Sequence, residues 1–510
     1  MKKSALIIII CLISVLTNAQ NKSTYTWIVG SNGAYGKFNG SSNKPLVGSL
    51  YQTTSPNYPL VFTGGHSNIC DSATGKLLAL TNGMVLFDTI GNIIENGDSL
   101  VPENIYTLNI YPTAPFSQGS IILPKGDGLY YVVIPTVSDS AYNQYWTLSQ
   151  GTRYPYDQIR VHVLDMNANG GMGKIIEKNK LILKSTEISV TNMQACRHAN
   201  GVDWWLLKQG YDSNIVYRFL FTKDTIYGPF KQSFTEPLWG KYAYFGQNCF
   251  SKDGKKYSSL QGESNKLFLA DFDRCNGELY NPKVYNIPID STGYLPVDST
   301  GLRDSVSTGI GFSPNGQFLY VSKAFNIYQF EFAMSDSFQA WFNVKRGIDT
   351  TWNAFEYYGS LQLGADNRMY IGKVGGGFKQ FSVIDYPDLK GSACGFCRKC
   401  FRVDNALGGL NSPPNVPDFN LGADVSMLPC APLSNVEFLN LMYDELVIYP
   451  NPASSKIVVR CQKSDVRKEL YNSVGQMVLS TKEDEIDVSK LAKGIYYLRC
   501  NNEVKKVVIE

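Results

Sequence analysis

Three closely spaced cysteines give this chain its clearest spacing for chemistry. Cys394, Cys397 and Cys400 stand in the stretch CGFCRKC, and three thiolates from one short loop could hold a soft metal ion. Outside the apolar N-terminal stretch the chain has ten cysteines, an even number that favours disulfides if the chain reaches an oxidising compartment. We therefore predict disulfides and no metal, with Cys430 a candidate partner for one of the three.

Two acidic stretches resemble the opening of a calcium loop. In DMNANG, Asp165, Asn167 and Asn169 alternate as oxygen ligands would, but the twelfth position, where a calcium loop needs a carboxylate, is Ile176. In DFDRCNGE, Cys275 stands where an oxygen ligand would be needed. Both patterns favour turns between strands, and no metal or cofactor is predicted.

Catalytic residues are hard to find in the sequence. The only histidines are His66, His162 and His198, and no GxSxG elbow accompanies them, so we interpret all three as structural. A pair of carboxylates for glycoside hydrolysis could come from different strands, but the sequence does not select one. Enzymatic activity is therefore not favoured, and no catalytic residue is assigned.

The elements that would position any site are strands. The chain has 32 Tyr, 26 Phe and 45 Gly, with short apolar runs and hardly any helical periodicity. A recurrent unit, in which a turn ends in Gly or Asn and launches an apolar strand, indicates repeated hairpins. The turn residues are Gly75, Gly128, Gly201, Gly254, Gly316 and Asn367.

These repeats predict an all-β fold with a β-propeller over residues 25–430. One such sheet would expose an apolar face and two edges, whereas radial stacking buries the faces. The spacing gives about seven blades if the stretch around Trp27 belongs to the ring. The alternative is a pair of β-sandwiches.

Aromatic residues in a long interval suggest a ligand-binding loop on the rim. Such side chains can stack on sugars or anchor a protein partner, or they can cover blade edges. The candidate residues are Tyr142, Tyr145, Trp146, Tyr154 and Tyr156. A second aromatic interval, 338–358, is expected to pack against the sheets.

The N-terminus predicts export. Lys2 and Lys3 precede an apolar run at 5–16, and small residues precede a cut between Ala19 and Gln20, as in a signal peptide over residues 1–19. The run is too short to span a membrane, and no later transmembrane segment is predicted. The formal charge of +3 gives no reason to expect nucleic acid as a partner.

The C-terminus predicts a separate small module over 446–510, after a linker over 431–445. Turn and strand patterns there indicate an antiparallel β-sandwich. Cys461 and Cys500 end two predicted strands and are candidates for a disulfide. The residues that carry the module's motifs are Tyr449, Pro450, Asn451, Pro452, Gly475, Gly494 and Tyr496.

Those motifs resemble, in order and spacing, the C-terminal sorting domain of the type IX secretion system of Bacteroidota. The resemblance implies recognition by the outer-membrane translocon, passage through the periplasm, and release or display at the outer cell surface. It also implies cleavage near the module and attachment to lipopolysaccharide. The stretches GFSPNGQFLYVS and SLQLGADNRMYIG resemble WD40 or YVTN-type propellers of exported proteins.

Together these observations predict an exported binding or adhesion module for an unknown extracellular glycan or protein. The alternative is an extracellular glycoside hydrolase or lyase on the same scaffold, which would need two or more carboxylates converging in the central pocket.

Overall fold

The computed structural model describes most of the chain from Gln20 onward. The predicted signal peptide (1–19), the predicted linker (431–445), Tyr154 and Cys461 lie outside the described residues. The described residues are 20–31, 34–38, 46–49, 61–62, 64–102, 114, 116–146, 156–185, 188–211, 213–235, 246–261, 266–288, 307–323, 326–331, 341–345, 357–374, 380–402, 412–430, 447–460, 467–500 and 503–510.

The described structure is all-β, with seven antiparallel sheets following one another between residues 26 and 402. Sheet 1 has the order β3-β2-β1-β4, and sheet 2 has three strands in the order β5-β6-β7. Their strands are β1 (Thr26–Ser31), β2 (Ala34–Lys37), β3 (Leu46–Ser49), β4 (Val61–Phe62), β5 (Ser67–Cys70), β6 (Leu77–Thr81) and β7 (Leu86–Phe87).

Sheets 3 to 7 are four-stranded meanders in which neighbours in sequence pair. Sheet 3 contains β8 (Ile121–Gly126), β9 (Leu129–Thr136), β10 (Gln158–Asp165) and β11 (Lys174–Lys184). Sheet 4 contains β12 (Ile188–Arg197), β13 (Trp204–Gly210), β14 (Ile215–Phe221) and β15 (Ile226–Ser233). Sheet 5 contains β16 (Gly246–Phe250), β17 (Lys256–Gln261), β18 (Lys266–Phe272) and β19 (Leu279–Asn286). Sheet 6 contains β20 (Ser307–Phe312), β21 (Phe318–Lys323), β22 (Asn326–Glu331) and β23 (Trp341–Lys345). Sheet 7 contains β24 (Tyr357–Leu363), β25 (Met369–Val374), β26 (Gln380–Ile384) and β27 (Phe396–Arg402).

Helical structure in the described residues is limited to short turns. A single turn, α1 (Asp139–Ala141), continues into a π-helical turn (Tyr142–Trp146) between β9 and β10. Two 3₁₀ turns occupy Asn169–Gly171 and Gly391–Cys394.

Consecutive sheets share their buried cores. One apolar cluster joins sheets 1 to 4, and separate clusters join sheets 4 and 5, sheets 5 and 6, and sheets 6 and 7. A further cluster joins sheet 7 to sheet 1, where the rings of Trp27 and Tyr370 meet edge to face with centroids 5.3 Å apart. The first strands of sheets 4, 5, 6 and 7 lie side by side in that order.

Residues 412–430 run back across the sheets, and we call this segment the strap. Its first part is buried, with Val416 and Phe419 in the core that joins sheets 1 to 4. It also lies against two strand-launching turns. A Cβ at Gly201 would stand 2.6 Å from the Ala423 nitrogen, and one at Gly254 would stand 2.7 Å from Leu421. Both glycines have positive φ, so they serve the turn and the close approach of the strap together.

The C-terminal module has two antiparallel sheets around one core. One sheet has the order β28-β29-β32 and the other β31-β30-β33-β34, and Ile457 of the first packs in the same cluster as Leu498 of the second. The strands are β28 (Val447–Tyr449), β29 (Lys456–Arg460), β30 (Lys468–Asn472), β31 (Met477–Thr481), β32 (Glu485–Asp487), β33 (Gly494–Cys500) and β34 (Glu503–Ile509).

Candidate functional sites

Side-chain amides connect the first strands of the sheets to one another. Gln118, just before β8, donates to the Asn248 carbonyl at 2.8 Å and accepts from the Asn248 N–H at 3.0 Å. Gln247 of β16 donates to the Leu361 carbonyl at 2.6 Å and accepts the N–H groups of Ile310 and Leu361. These amides replace the backbone pairing that adjacent sheets cannot make, so their polar atoms are already engaged.

Asn415 of the strap makes the densest set of such contacts. Its side chain donates to the carbonyls of Ser120 at 2.9 Å and Met193 at 3.1 Å, and accepts from Gln194 Nε2 at 3.0 Å. Its backbone N–H donates to the His66 carbonyl at 2.9 Å. With only 4% of its surface exposed, Asn415 ties sheets 3 and 4 to the segment before β5.

Asn415 stands in SPPNVPDF, residues 412–419, and all of this stretch except Asp418 is buried. The prolines donate no N–H and therefore leave no orphan donors in this buried path. The sequence signal that could have revealed the strap is its apolar residues alternating with prolines, a composition unusual for an exposed linker.

A cavity of about 120 Å³ lies between the first strands of sheets 4 to 7 and the strap. Asp418 is the only carboxylate among the described residues that line it. Its Oδ1 accepts the Asn420 N–H at 2.8 Å, and burial raises the pKa of its carboxyl. Lys252 also lines the cavity, and its Nζ donates to Asn367 Oδ1 at 2.7 Å.

The lining of this cavity supplies one titratable oxygen group where glycoside hydrolysis needs two. Retaining and inverting glycosidases place two carboxyl groups on either side of the scissile bond. The thiols of Cys196 and Cys249 also line the cavity, but burial raises both pKa values, that of Cys196 to about 12. A thiol with so high a pKa is a poor nucleophile at neutral pH.

His162 lies in β10, whereas His66 directly precedes β5 and His198 directly follows β12. Burial lowers the pKa of His66 to about 4 and that of His162 to about 3. His162 Nδ1 accepts the Asn179 N–H at 3.1 Å, and His198 Nδ1 accepts the Asn200 N–H at 3.1 Å. The structural role of the three histidines stays a prediction.

The cysteines pair differently from the expectation. Cys430 is bonded to Cys275, not to a member of the CGFCRKC triplet, because the strap crosses the β18–β19 turn and brings Cys430 there. Within the triplet Cys397 is bonded to Cys400, whereas Cys394 is a buried free thiol. Cys500 is buried and disulfide-bonded.

The acidic stretches form turns. Asp165 Oδ1 accepts the Asn167 N–H at 2.8 Å, and Asp273 Oδ1 accepts the Cys275 N–H at 2.7 Å, so each aspartate caps its own turn. No group of His, Cys, Asp or Glu that could hold a metal ion occurs among the described residues.

The predicted rim loop leaves sheet 3 between β9 and β10, and its base is fixed. Asp157 accepts the N–H of Ser138 at 2.7 Å and its hydroxyl at 2.5 Å, so the two ends of the loop are tied together. Burial raises the pKa of the Asp157 carboxyl. Tyr142 is half-buried, and Tyr145 and Trp146 lie in the π-helical turn.

The prediction that Tyr156 belongs to the ligand-binding loop is wrong. Tyr156 has 3% of its surface exposed and packs in the core that joins sheets 1 to 4, so it cannot meet a ligand. It belongs to the base of the loop because its carbonyl accepts the Ile188 N–H at the start of β12.

In the C-terminal module, the YPNP motif fastens the last strand. Asn451 Nδ2 donates to the Lys506 carbonyl at 2.8 Å, and Asn451 Oδ1 accepts the Val508 N–H at 2.8 Å. The side chain thus imitates a strand beside β34. Ala453 continues this pairing by donating its N–H to the Val508 carbonyl.

The other predicted motif residues also have structural tasks. Gly475, with φ of 82°, makes the β30–β31 turn, and Gly494 begins β33. The Tyr496 hydroxyl donates to the Ala492 carbonyl at 2.8 Å, and 7% of the residue is exposed. Pro450 is exposed next to Asn451.

Comparison with family models gives one match. Residues 447–510 match the model described as the secretion system C-terminal sorting domain. The chain carries a type IX sorting domain. The chain is therefore directed to the cell surface or to the exterior, and the type IX secretion machinery is a partner of the sorting domain. The described residues include no helix of the length and apolarity that a membrane crossing requires.

No curated protein matches the chain significantly. Among solved structures, a putative 6-phosphogluconolactonase from Bacteroides fragilis is 12% identical, covers 78% of this chain and 97% of its own, and has a TM-score of 0.39. PorZ, a surface component of the type IX secretion system of Porphyromonas gingivalis, is 10% identical, with 96% and 75% covered and a TM-score of 0.31. TM-scores this low carry no argument about fold or function.

Proposed function

We propose that sheets 1 to 7 close into one seven-bladed β-propeller. The support is the circular sequence of shared cores, in which sheet 7 packs on sheet 1 through Trp27 and Tyr370. Such closure protects the sheet edges that a pair of open sandwiches would leave exposed. The first strands would then line the axis, with the strap across it.

On this scaffold the protein would act as an exported binding module for an extracellular glycan or protein. The observation that carries this proposal is the state of the axial region, where the side-chain amides of Gln118, Gln247 and Asn415 are already hydrogen-bonded to main-chain carbonyls in or next to other strands. With Asp418 as the sole carboxylate in the adjoining cavity, the described site suits binding better than hydrolysis.

The rim loop is the proposed ligand contact. The Ser138–Asp157 bonds fix its base, and a fixed base lowers the ordering cost that a ligand must overcome. Trp146 and Tyr145 would then supply aromatic contact area.

Array binding tests this proposal. Purified residues 20–510 would be applied to glycan and extracellular-matrix protein arrays beside Trp146→Ala and, as a matched control, Tyr386→Ala, which removes an exposed aromatic elsewhere. We expect Trp146→Ala to lose binding and Tyr386→Ala to keep it. Turnover of a polysaccharide without such binding would instead support the hydrolase or lyase.

For delivery, we propose that residues 1–19 are removed during export and that 431–445 link the propeller to the sorting domain. Deleting residues 446–510 should leave the protein in the periplasm, since the matched domain would be gone. Surface protease accessibility and cell fractionation would measure this. Unchanged surface display of the truncated chain would refute the delivery role.

A further inference from the structure

The described residues between 20 and 430 include two disulfides with very different surroundings. Cys275–Cys430 joins residues 155 apart and fastens the strap, whereas Cys397–Cys400 joins residues three apart within β27. Closing so short a loop removes little conformational freedom from the unfolded chain, so the short disulfide contributes little to stability by that route. Its presence therefore calls for another explanation than the joining of distant segments.

The Cys397–Cys400 disulfide lies on an edge strand that bulges away from its sheet. β27 is the last strand of sheet 7, and no described strand pairs with its outer edge. In the pairing of β26 with β27, the single residue Ser382 faces the three residues 398–400. Such a bulge bends the strand and re-aims its side chains. Cys400 is exposed and Cys397 half-buried, so solvent reaches the disulfide from the side of Cys400.

The tip of the bulge carries two positive charges. Arg398 and Lys399 stand between the two cysteines in the sequence CRKC. Lys399 has a φ of 59°, and its N–H donates to Ser382 Oγ at 3.4 Å, which ties the tip to β26. In thiol–disulfide exchange one thiolate attacks and another departs. Positive charges beside the disulfide stabilise both anions.

The neighbouring thiol and the longer disulfide lack these properties. Cys394 is a buried free thiol, and burial raises the pKa of that thiol, so it stays protonated at neutral pH. Beside the longer disulfide, Asp273 Oδ1 accepts the Cys275 N–H at 2.7 Å. The Asp273 carboxylate would repel an approaching thiolate, whereas the charges of the CRKC bulge would attract one.

We propose that the Cys397–Cys400 disulfide is a thiol–disulfide exchange site that accepts an external thiol at Cys400. The external thiolate attacks Cys400 Sγ and forms a mixed disulfide, while the bond between the two cysteines breaks and its electron pair leaves with Cys397 Sγ. A second external thiolate then attacks the external sulfur of the mixed disulfide and releases Cys400 as a thiolate. Two external thiols are thus oxidised to one disulfide, and Cys397 and Cys400 are reduced to a dithiol that takes up the two protons.

The destination of the protein fits this chemistry. The sorting domain directs the chain to the cell surface or the exterior, where a disulfide is the resting form. The exchange site lies on sheet 7, whereas the rim loop leaves sheet 3, so exchange and ligand binding would fail separately. The exchange activity therefore goes beyond the proposed binding role.

Adduct mapping by mass spectrometry tests the site. Purified, oxidised residues 20–510 would be incubated with glutathione in one arm and with reduced, unfolded ribonuclease A in the other, and then quenched with iodoacetamide. We expect the probe on Cys400 and the alkyl group on Cys397, formed at least about tenfold faster than Cys275–Cys430 opens. Adducts with both probes, or with either one alone, would support the site and show the size of thiol that it takes.

Lys399→Gln tests the charge at the tip of the bulge, and Lys390→Gln is the matched control, because Lys390 pairs with Glu331 at 2.6 Å outside the bulge. We expect Lys399→Gln to slow the exchange by about threefold and Lys390→Gln to leave it unchanged. An unchanged thermal midpoint would show that each variant is folded. Cys394→Ser should keep the adduct on Cys400.

Three results would overturn the proposal. They are opening of the two disulfides at equal rates, adducts confined to Cys397, and the absence of an adduct with either probe.

Discussion

Two asparagines flanked by prolines perform the same task in two regions with different surroundings. Asn415 lies buried in the strap and bonds to main-chain groups of sheets 3 and 4, whereas the Asn451 side chain lies at the exposed edge of the C-terminal module and bonds to β34 alone. In both, proline removes backbone donors and the amide replaces a strand neighbour. We call such an asparagine side chain a clamp, and its contribution to stability depends on how many buried partners its removal would leave unpaired.

The largest effect should come from the disulfide that anchors the strap. Cys275 and Cys430 are 155 residues apart, and the chain-entropy relation gives up to about 5 kcal/mol for closing such a loop. We expect Cys275→Ser with Cys430→Ser to lower the free energy of unfolding of the region formed by sheets 1 to 7 by several kcal/mol in urea titrations.

The matched control for that variant is Cys397→Ser with Cys400→Ser. Those residues are only three apart, so the same relation gives about 2 kcal/mol or less. Equal losses in the two double variants would show that the strap is not held by its disulfide.

Removing the buried clamp should have the next largest effect. Asn415→Ala leaves two carbonyls and the Gln194 amide without partners in a buried site, at about 1 to 3 kcal/mol for an unsatisfied group. We expect a loss of about 3 kcal/mol in the unfolding transition of sheets 1 to 7 and none in that of the C-terminal module. Chemical denaturation followed by tryptophan fluorescence reports the first transition, because all seven tryptophans precede residue 447.

Acid should destabilise the region of sheets 1 to 7 more than the C-terminal module. In the unfolded chain the histidines bind protons below about pH 6.5, whereas His66 has a pKa of about 4 in the folded protein and His162 about 3. The unfolded state therefore gains protons first, and stability falls as the pH drops from 6.5 toward 4, by about 3 kcal/mol for His66 alone.

The C-terminal module contains no histidine, so its transition should lack this component. Thermal scans between pH 7 and pH 4 would measure both transitions, and His66→Gln should reduce the pH dependence of the transition of sheets 1 to 7, with His162 accounting for the rest. If the stability of His66→Gln depended on pH as that of the unaltered protein does, the pH dependence would not come from His66.

The smallest effect should come from the exposed clamp. Asn451→Ala removes two hydrogen bonds whose partners remain near water, so we expect about 1 kcal/mol, confined to the module. Urea unfolding of the full chain, with the module followed by backbone circular dichroism, would detect it. A loss as large as that of Asn415→Ala would remove the distinction between buried and exposed clamps.

The sequence predicted those features that a short stretch of residues specifies by itself. Gly201 and Gly254 mark their turns because positive φ is a local requirement, and Asn451 stands in a motif that is read as a unit. Asn415 could not be predicted in this way, since its side-chain partners Ser120 and Met193 lie 295 and 222 residues away.

In the candidate sites, too, the sequence could not predict features that depend on residues far along the chain. Tyr156 appeared to belong to the rim loop because aromatic residues precede it, but its burial depends on packing against sheets 1 to 4. The pairing of Cys430 with Cys275 and the cavity around Asp418 both depend on the path of the strap, which no local pattern specifies.

The first part of the strap is buried against sheets 1 to 7 and is not an exposed linker. Hydrogen exchange of the peptide covering residues 412–420, followed by mass spectrometry on the oxidised protein, tests this burial. We expect protection comparable to that of β12 and β24, including the Asn415 amide bonded to His66. Exchange at the rate of an exposed linker would contradict it.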